Sequence, residues 1–546
     1  MTLAAKPRAP LEAQHFQVVV IGGGINGVAV ARECARAGKR TLLVEQNDFA
    51  SGVTSRSTRI IHGGLRYLEH GELDLVRESV RERERLLRER SHLVQPLRFL
   101  LLLNEGSRHS ALKVRAGLWL YHRLAGKKVA DPGEMEWKRV ERALDAGKKW
   151  SCFSYEDAQC EFPERLVAEW LTEAVDAGAV VRNHCEVLAV DVAHGRARGV
   201  LLRDRVTGKD ARVDAGWIIN CTGPWADRLC QRSSVRTGKP MLGGVRGSHI
   251  VLPRFPGAPS VALYAEAPDG RPIFVLPWND QILVGTTEVP DTGDPGRTTP
   301  TNDEIEYLLR TVAQMFPKAK ITPHDIKYAF AGVRPLPNSP GDKPSAVTRR
   351  HFLHDHTSDG AARFISVIGG KLTTAASLAR ECARKIGIAV AEPRTVTVGP
   401  SRALDPLMDQ EVLEIAKAGS MSQESARGIL EWHGKRAMDI ARMALVSAEL
   451  RAPICPHTSH LVAEVVEAYR KEHAETLGDV LLRRVPVALG PCWSESCSRE
   501  AALRIGAVMG WSEQILGANL ESLEMERTAF LCRPAQKASA LEAAAD

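Results

Sequence analysis

Aromatic side chains are scarce: Phe, Trp and Tyr make up 5% of the 546 residues, against 44% hydrophobic and 25% charged residues overall. That balance is globular and excludes collagen-like or disordered chains. Long apolar runs are missing too. None approaches the roughly 18 residues that a membrane-spanning helix needs, so a helical transmembrane protein is excluded. Residues 1–14 (MTLAAKPRAPLEAQ) lack the apolar stretch of a secretory signal and read as a short disordered tail on a cytosolic protein. The 11 cysteines follow no regular spacing. Neither Cys492 with Cys497 nor Cys455 near His457 fits a zinc or iron–sulfur pattern, so reduced thiols and no metal are expected. There is no internal repeat. The length exceeds what one core supports, so two or three domains are expected.

What is present begins at Phe16–Ile21, a β-branched run that reads as a strand buried on both faces. Gly22-x-Gly24-x-x-Gly27 follows at once, then helical composition over Gly27–Ala37, then an apolar strand Thr41–Val44 that ends in Glu45. Strand, glycine turn, helix, strand and acid form a βαβ unit for a dinucleotide. Gly22 allows the tight turn, Gly24 lets the backbone approach a pyrophosphate, and Gly27 lets helix and strand pack closely. The helix N-terminus offers N–H groups to phosphate, and Glu45 is placed for a ribose hydroxyl. This unit alone does not separate NAD from FAD. The loop of small hydroxyl residues from Ser51 suits a cofactor that extends deep into the protein.

Further along, helix is expected over 72–93, Leu166–Ala177 and Thr373–Ile386, and β-structure over Val180–Val190, Arg196–Leu202, Trp217–Cys221, Arg363–Ile368 and much of Gly247–Thr287. Residues 388–400 read as a linker, 406–525 as helical, and about 533–546 as a loose tail. Residues 72–93 read as a solvated helix with Glu84–Arg88 and Arg85–Glu89 pairs.

The motifs IGGGINGVAVA, IIHGGLRYLE, CTGPWAD, RGSHIVLP, GTTEVPDTGDP, GVRPL, VTR and GGKLTT occur in this order over about 16–390. Together they resemble the FAD-dependent glycerol-3-phosphate dehydrogenases, the respiratory, quinone-reducing type. The stretch from His457 to Arg484 resembles that family's helical C-terminal domain. The chain departs from the family's usual pattern at Val53-Thr54-Ser55, Arg59 and Arg246.

The resemblance implies an α/β, α+β multidomain fold. A doubly wound Rossmann-like FAD domain would comprise 15–80, 155–235 and 345–392. A mixed-sheet substrate-binding, membrane-facing domain would comprise 81–154 and 236–344, and a C-terminal helical domain 400–530. It implies FAD contacts at Gly22, Gly23, Gly24, Gly27, Glu45, Gln46, Ser57, Thr58, Arg59, His62, Gly63, Gly64, Thr222, Gly223, Gly370, Lys371, Leu372 and Thr373. It implies that Arg334 and Arg349 clamp the substrate phosphate, a task that suits the guanidinium fork. His62 and Arg66 fall at the flavin ring. Lys371 falls near the ring or the substrate, where a cation suits the charge that develops on reduction. His249 is the second pocket histidine; which histidine takes the proton stays open.

The implied reaction oxidises sn-glycerol 3-phosphate to dihydroxyacetone phosphate by hydride transfer to FAD, with quinone as acceptor. An oxidase of the same family, an amino- or hydroxy-acid oxidase and a non-catalytic flavin protein are the alternatives. Residues 77–128 hold 13 Lys and Arg against five Asp and Glu, more than the whole net charge of +7. Within 96–128 these cations alternate with Leu101, Leu102, Trp119, Leu120 and Tyr121. That is the composition of an interfacial segment on anionic lipid. No nucleic-acid module accompanies it. The resemblance implies that this region rests on the membrane, so peripheral attachment to the inner face of the cell membrane is expected. The oligomeric state stays open, a homodimer included.

Overall fold

The computed structural model describes residues 8–125, 134–341, 347–391 and 406–532. Residues 1–7, Lys127, Lys128, the linker's 392–400 and the tail 533–546 lie outside the described residues.

The run His15–Ile21 is buried from Val18 onward, as a central strand requires. It pairs in parallel with Thr41–Val44 on one side and Lys209–Asn220 on the other, with Val18 opposite both Thr41 and Trp217. Val180–Arg182 and Phe364–Ile368 extend the parallel sheet outward, and Phe352–Asp355 closes one edge antiparallel. Cys185–Ala193 and Arg196–Asp204 form an antiparallel extension against the first half of Lys209–Asn220. The helices Ile25–Arg36, Pro163–Asp176 and Ala375–Lys385 pack together over this sheet, and Val28, Ala29, Leu171 and Leu378 share their core.

A second, nine-stranded sheet is antiparallel except where Ala262–Glu266 runs parallel to Val94–Leu103. Leu242–Pro253 pairs along its length with Tyr328–Pro337, with His249 opposite Phe330 and Val245 opposite Arg334. Ile60–Ile61 and Ser151–Cys160 also belong to this sheet, so the chain crosses between the sheets just before His62 and just before the helix Pro163–Asp176. The α/β fold class expected from sequence is the one observed, with a helical part over 406–530.

That helical part is docked by charge. Arg165 and Glu472, both without exposed side-chain surface, form a two-pronged pair at 2.7 and 3.0 Å. Asp48, just past the second parallel strand, takes both Arg483 and Arg484.

Two expectations are corrected. The charged helix, observed as Leu73–Glu89, is not solvated: Leu75, Val76, Val80, Glu82, Arg83 and Glu84 are buried. The apolar and basic segment is not one interfacial unit. Its first half is the strand Val94–Leu103, whose Leu100, Leu101 and Leu102 are core residues. The large exposed apolar side chains among its described residues lie on the helix Ala111–Ala125, with Leu112 77% and Trp119 60% exposed, while Leu118 and Tyr121 face inward. Alternation of Leu and Arg reads alike for an interfacial helix and a strand; pairing with Ala262–Glu266 and Ser151–Cys160 decides it.

Candidate active site

The parallel strands end on one edge of the first sheet. Gly22, Glu45, Thr222 and Gly369 each lie within two residues of such a strand end. Ligands of open α/β sheets bind along this edge. A cavity of about 1090 Å³ opens there and continues onto the face of the second sheet. It slightly exceeds the roughly 300–1,000 Å³ of a single small-molecule site.

At its first end, Gly24 starts the helix Ile25–Arg36 with an extended backbone, and a Cβ there would meet only the Thr54 hydroxyl, at 3.4 Å. The Thr54 hydroxyl accepts the Ile25 N–H at 3.1 Å. Gly27 is not a lining residue: its Cβ would sit 1.8 Å from the Gly22 carbonyl, so it serves helix–strand contact. Gly23 is likewise set behind, where a Cβ would strike Phe49 and Glu45. Glu45 accepts the N–H of Gly23 at 2.6 Å and of Asn47 at 2.9 Å, and burial pushes its carboxyl up. Two bonds leave lone pairs for a hydroxyl. Gln46, Thr222 and Gly223 line the same end. Thr222 is fixed by donating its hydroxyl to Asn220.

The middle is built on the His62 loop. The buried Arg83 donates to both Tyr121 and Asp157, and Asp157 accepts the Gly63 N–H at 2.9 Å. Gly63 packs on Tyr121, whose hydroxyl would be 2.1 Å from an added Cβ, so it supports the loop from behind. Gly64 has φ +84° and turns the chain into Leu65–His70. From the other side, Thr373 accepts the His62 N–H at 3.2 Å. Burial, with Lys371 and Arg83 nearby, lowers His62 to about 4 against the opposing pull of Asp157. Lys371 donates to Ser79 and lies 4.6 Å from the Tyr67 ring centroid. Burial lowers its ammonium to about 8. Gly370 (φ +103°) abuts Asn26, and Leu372 completes this wall.

The far end is arginine-rich. Arg334 donates to the Thr286 hydroxyl at 3.0 Å. Gly247 makes room for it, since a Cβ there would lie 2.5 Å from its guanidinium. Arg349 and Arg66 both pair with one carboxylate, Glu288, at 3.0 and 3.5 Å. Burial, then Arg349, pulls Arg334 down to about 10. Two guanidiniums thus pair with one carboxylate, and Arg334 lies within electrostatic reach of all three. His249, 2% exposed, stacks on Phe330 and faces the Thr58 hydroxyl at 2.9 Å. Burial, then Arg334, lowers it to about 3.

Four expected cofactor contacts are corrected: Gly23, Gly27 and Gly63 stand behind the lining, and Arg59 meets it only in part. Arg59 borders the cavity, yet its fully buried guanidinium is turned to Glu164 at 3.0 and 3.2 Å and lies over Trp278. Its charge is neutralised inside the protein. Ser57, which accepts the Arg59 N–H, and Thr58 line the cavity. Sequence reading missed Glu288, Tyr67, Asp157 and Arg83. Glu288, inside GTTEVPDTGDP, and Tyr67, inside IIHGGLRYLE, carried a usable signal.

The donor set fits a flavin dinucleotide. A glycine-lined helix start with open space would suit a pyrophosphate, an acid at the strand end would suit a ribose hydroxyl, and the cavity of about 1090 Å³ leaves volume beyond them. Residues 17–395 match the family described as FAD dependent oxidoreductase. The chain belongs to that family. Its cofactor is FAD. Residues 364–515 match the C-terminal domain of alpha-glycerophosphate oxidase. Among curated relatives, a glycerol-3-phosphate dehydrogenase of Synechocystis sp. is 37% identical, over 87% of this chain and 89% of its own. Glycerol-3-phosphate dehydrogenase 2 of Mycobacterium tuberculosis is 32% identical, over 92% and 86%. A solved glycerol-3-phosphate dehydrogenase from Bacillus halodurans, complexed with FAD, shares the fold with a TM-score of 0.73 at 23% identity, covering 95% of this chain and 96% of that one.

Proposed function

We propose that this flavoprotein oxidises sn-glycerol 3-phosphate to dihydroxyacetone phosphate and passes the electrons to a membrane quinone. The observation that carries the reading is the Arg66, Arg334 and Arg349 group around the single carboxylate of Glu288. Like charges enclosed together repel, and a phosphate dianion relieves that repulsion while accepting their N–H donors. A zwitterionic amino acid or a hydroxy-acid monoanion brings less negative charge than a phosphate dianion and needs no such excess. Bound FAD supplies the acceptor for the hydride that leaves C2.

The protein supplies the rest. Arg334 and Arg349 hold the phosphate, and Arg66 adds charge at the rim. His62, the more exposed of the two pocket histidines, takes the C2 hydroxyl proton; its depressed pKa keeps the imidazole neutral at pH 7. His249 orients Thr58. Lys371 adds positive charge beside Tyr67 in the cavity wall. Anaerobic bleaching of the flavin by glycerol 3-phosphate tests the reading.

Lys371 gives a pH signature. Its ammonium is present at pH 7 and is lost as pH rises through about 8. Flavin reduction in wild type is expected to slow above that pH, and Lys371→Met to be slow and flat there. Stopped-flow flavin absorbance from about pH 6 to about pH 10 measures this. A wild-type alkaline limb that persists in Lys371→Met removes Lys371 from the reaction.

Quinone is lipid-soluble, so this reading needs membrane contact. No helix among the described residues is long and apolar enough to cross a membrane. The helix Ala111–Ala125 exposes Leu112 and Trp119 beside Lys113, Arg115 and Arg123. Each cation near an anionic surface contributes ~1 kcal/mol, and a buried apolar side chain about 1.5–3 kcal/mol. Leu112→Ser with Trp119→Ser is therefore expected to abolish the salt-resistant part of binding to phosphatidylglycerol vesicles. Dye-linked activity should stay unchanged. Equal sedimentation of variant and wild type at every salt concentration contradicts this attachment.

A further inference from the structure

The helical C-terminal part holds a second cluster of reactive side chains, absent from the lining of the cavity. Cys455 and His457 lie in the loop before the helix Val462–Lys471; Cys492 and Cys497 flank the start of the helix Glu495–Met509. The fold folds these two segments onto each other. His457 Nδ1 is 3.4 Å from Cys497 Sγ. The ligand atoms of Cys455, His457 and Cys497 all lie within 4.8 Å of one another. The Cys492 thiol reaches the His457 carbonyl at 3.9 Å, and the Cys497 thiol reaches the Cys492 carbonyl at 3.7 Å.

These separations suit one ion. With zinc–sulfur bonds of about 2.3 Å and zinc–nitrogen bonds of about 2.0 Å, a tetrahedral site sets sulfur and nitrogen about 3.5 Å apart. The surroundings favour thiolate as well. The His457 N–H faces the Cys455 sulfur, and Ser494 caps the helix by accepting the Cys497 N–H and donates toward the Cys497 sulfur. Cys455 is fully buried and Cys497 2% exposed, whereas His457 and Cys492 are exposed, which gives an ion a way in.

We propose that Cys455, His457 and Cys497 bind a zinc ion, with the Cys492 thiolate as fourth ligand. Four protein ligands make the site structural. It clamps the loop before Val462–Lys471 to the start of Glu495–Met509. Binding releases the thiol protons, so affinity rises with pH. The gap of 35 residues between His457 and Cys492 hid the grouping from a reading of local spacing.

The test is metal content of the FAD-loaded full chain after exposure to zinc sulfate and exhaustive dialysis, read by plasma mass spectrometry. About one zinc per chain is expected, falling below a tenth of that in the Cys455→Ser, Cys497→Ser double variant. His457→Gln should lose zinc at a lower chelator concentration than wild type. Cobalt(II) in place of zinc should give wild type a thiolate charge-transfer band that the Cys455→Ser, Cys497→Ser double variant lacks. Flavin absorbance reports whether each variant is folded; if the double variant is not, the cobalt spectrum of wild type and the His457→Gln titration decide. Wild type that retains no zinc and no cobalt band, with all four side chains open to modification, overturns the site. So does a Cys455–Cys497 disulfide in zinc-treated protein.

Discussion

Gly24→Val is expected to give a folded protein that carries no FAD. The backbone at Gly24 is extended, with φ −72° and ψ 179°, a conformation any residue adopts. A Cβ there has one neighbour, the Thr54 hydroxyl, at 3.4 Å. The polypeptide therefore has room for a branched side chain, and the pyrophosphate at the helix start does not. Gly27→Val is the contrasting case. Its Cβ would fall 1.8 Å from the Gly22 carbonyl, so the helix Ile25–Arg36 must leave the sheet and the fold is lost. Purified Gly24→Val should be colourless with near-native circular dichroism, and Gly27→Val should be insoluble or unfolded. A yellow, fully loaded Gly24→Val means that the pyrophosphate lies elsewhere.

Arg334→Ala is expected to raise the half-saturation concentration for glycerol 3-phosphate while FAD content stays normal. Loss of a charge-assisted phosphate contact costs about 1.5–3 kcal/mol, roughly 10- to 150-fold in affinity. Arg349→Ala should act similarly. The double variant should lose less than the product of the two, because both guanidiniums serve one phosphate and repel one another without it. Gly247→Ala offers an indirect route to the same defect, since its Cβ displaces the Arg334 guanidinium. Steady-state kinetics with a soluble dye acceptor measures all four. An unchanged half-saturation concentration in Arg334→Ala removes that residue from the substrate pocket.

Most of the first sheet was legible in the sequence because its signals are local. A buried β-branched run, a glycine turn and an acid at a strand end lie within about 30 residues of each other, the size of one βαβ unit. The helix Asn302–Met315 was missed although its capping box, Thr301 with Glu304, was readable. Val94–Leu103 was misread because its partners come from distant parts of the chain, and no local pattern announces pairing. The same limit applied to the site. Gly24 and Arg334 sit in motifs and could be named. Asp157 could not, because its role comes from Arg83, Tyr121 and Gly63 converging on it from three elements. Arg59 shows the converse: the resemblance implied a cofactor contact for it, yet its charge is turned to Glu164.

The central claim is that this flavoprotein takes a reducing equivalent from a phosphorylated secondary alcohol held by Arg66, Arg334 and Arg349. Its most direct test is anaerobic titration of the FAD-loaded wild type with glycerol 3-phosphate, glycerol and lactate, followed by visible absorbance. The account predicts complete bleaching by glycerol 3-phosphate, none by glycerol or lactate at the same concentration, and a loss of bleaching in the Arg334→Ala, Arg349→Ala double variant that excess substrate restores. Bleaching by glycerol or lactate as readily as by glycerol 3-phosphate, or a flavin that stays oxidised with all three, contradicts it.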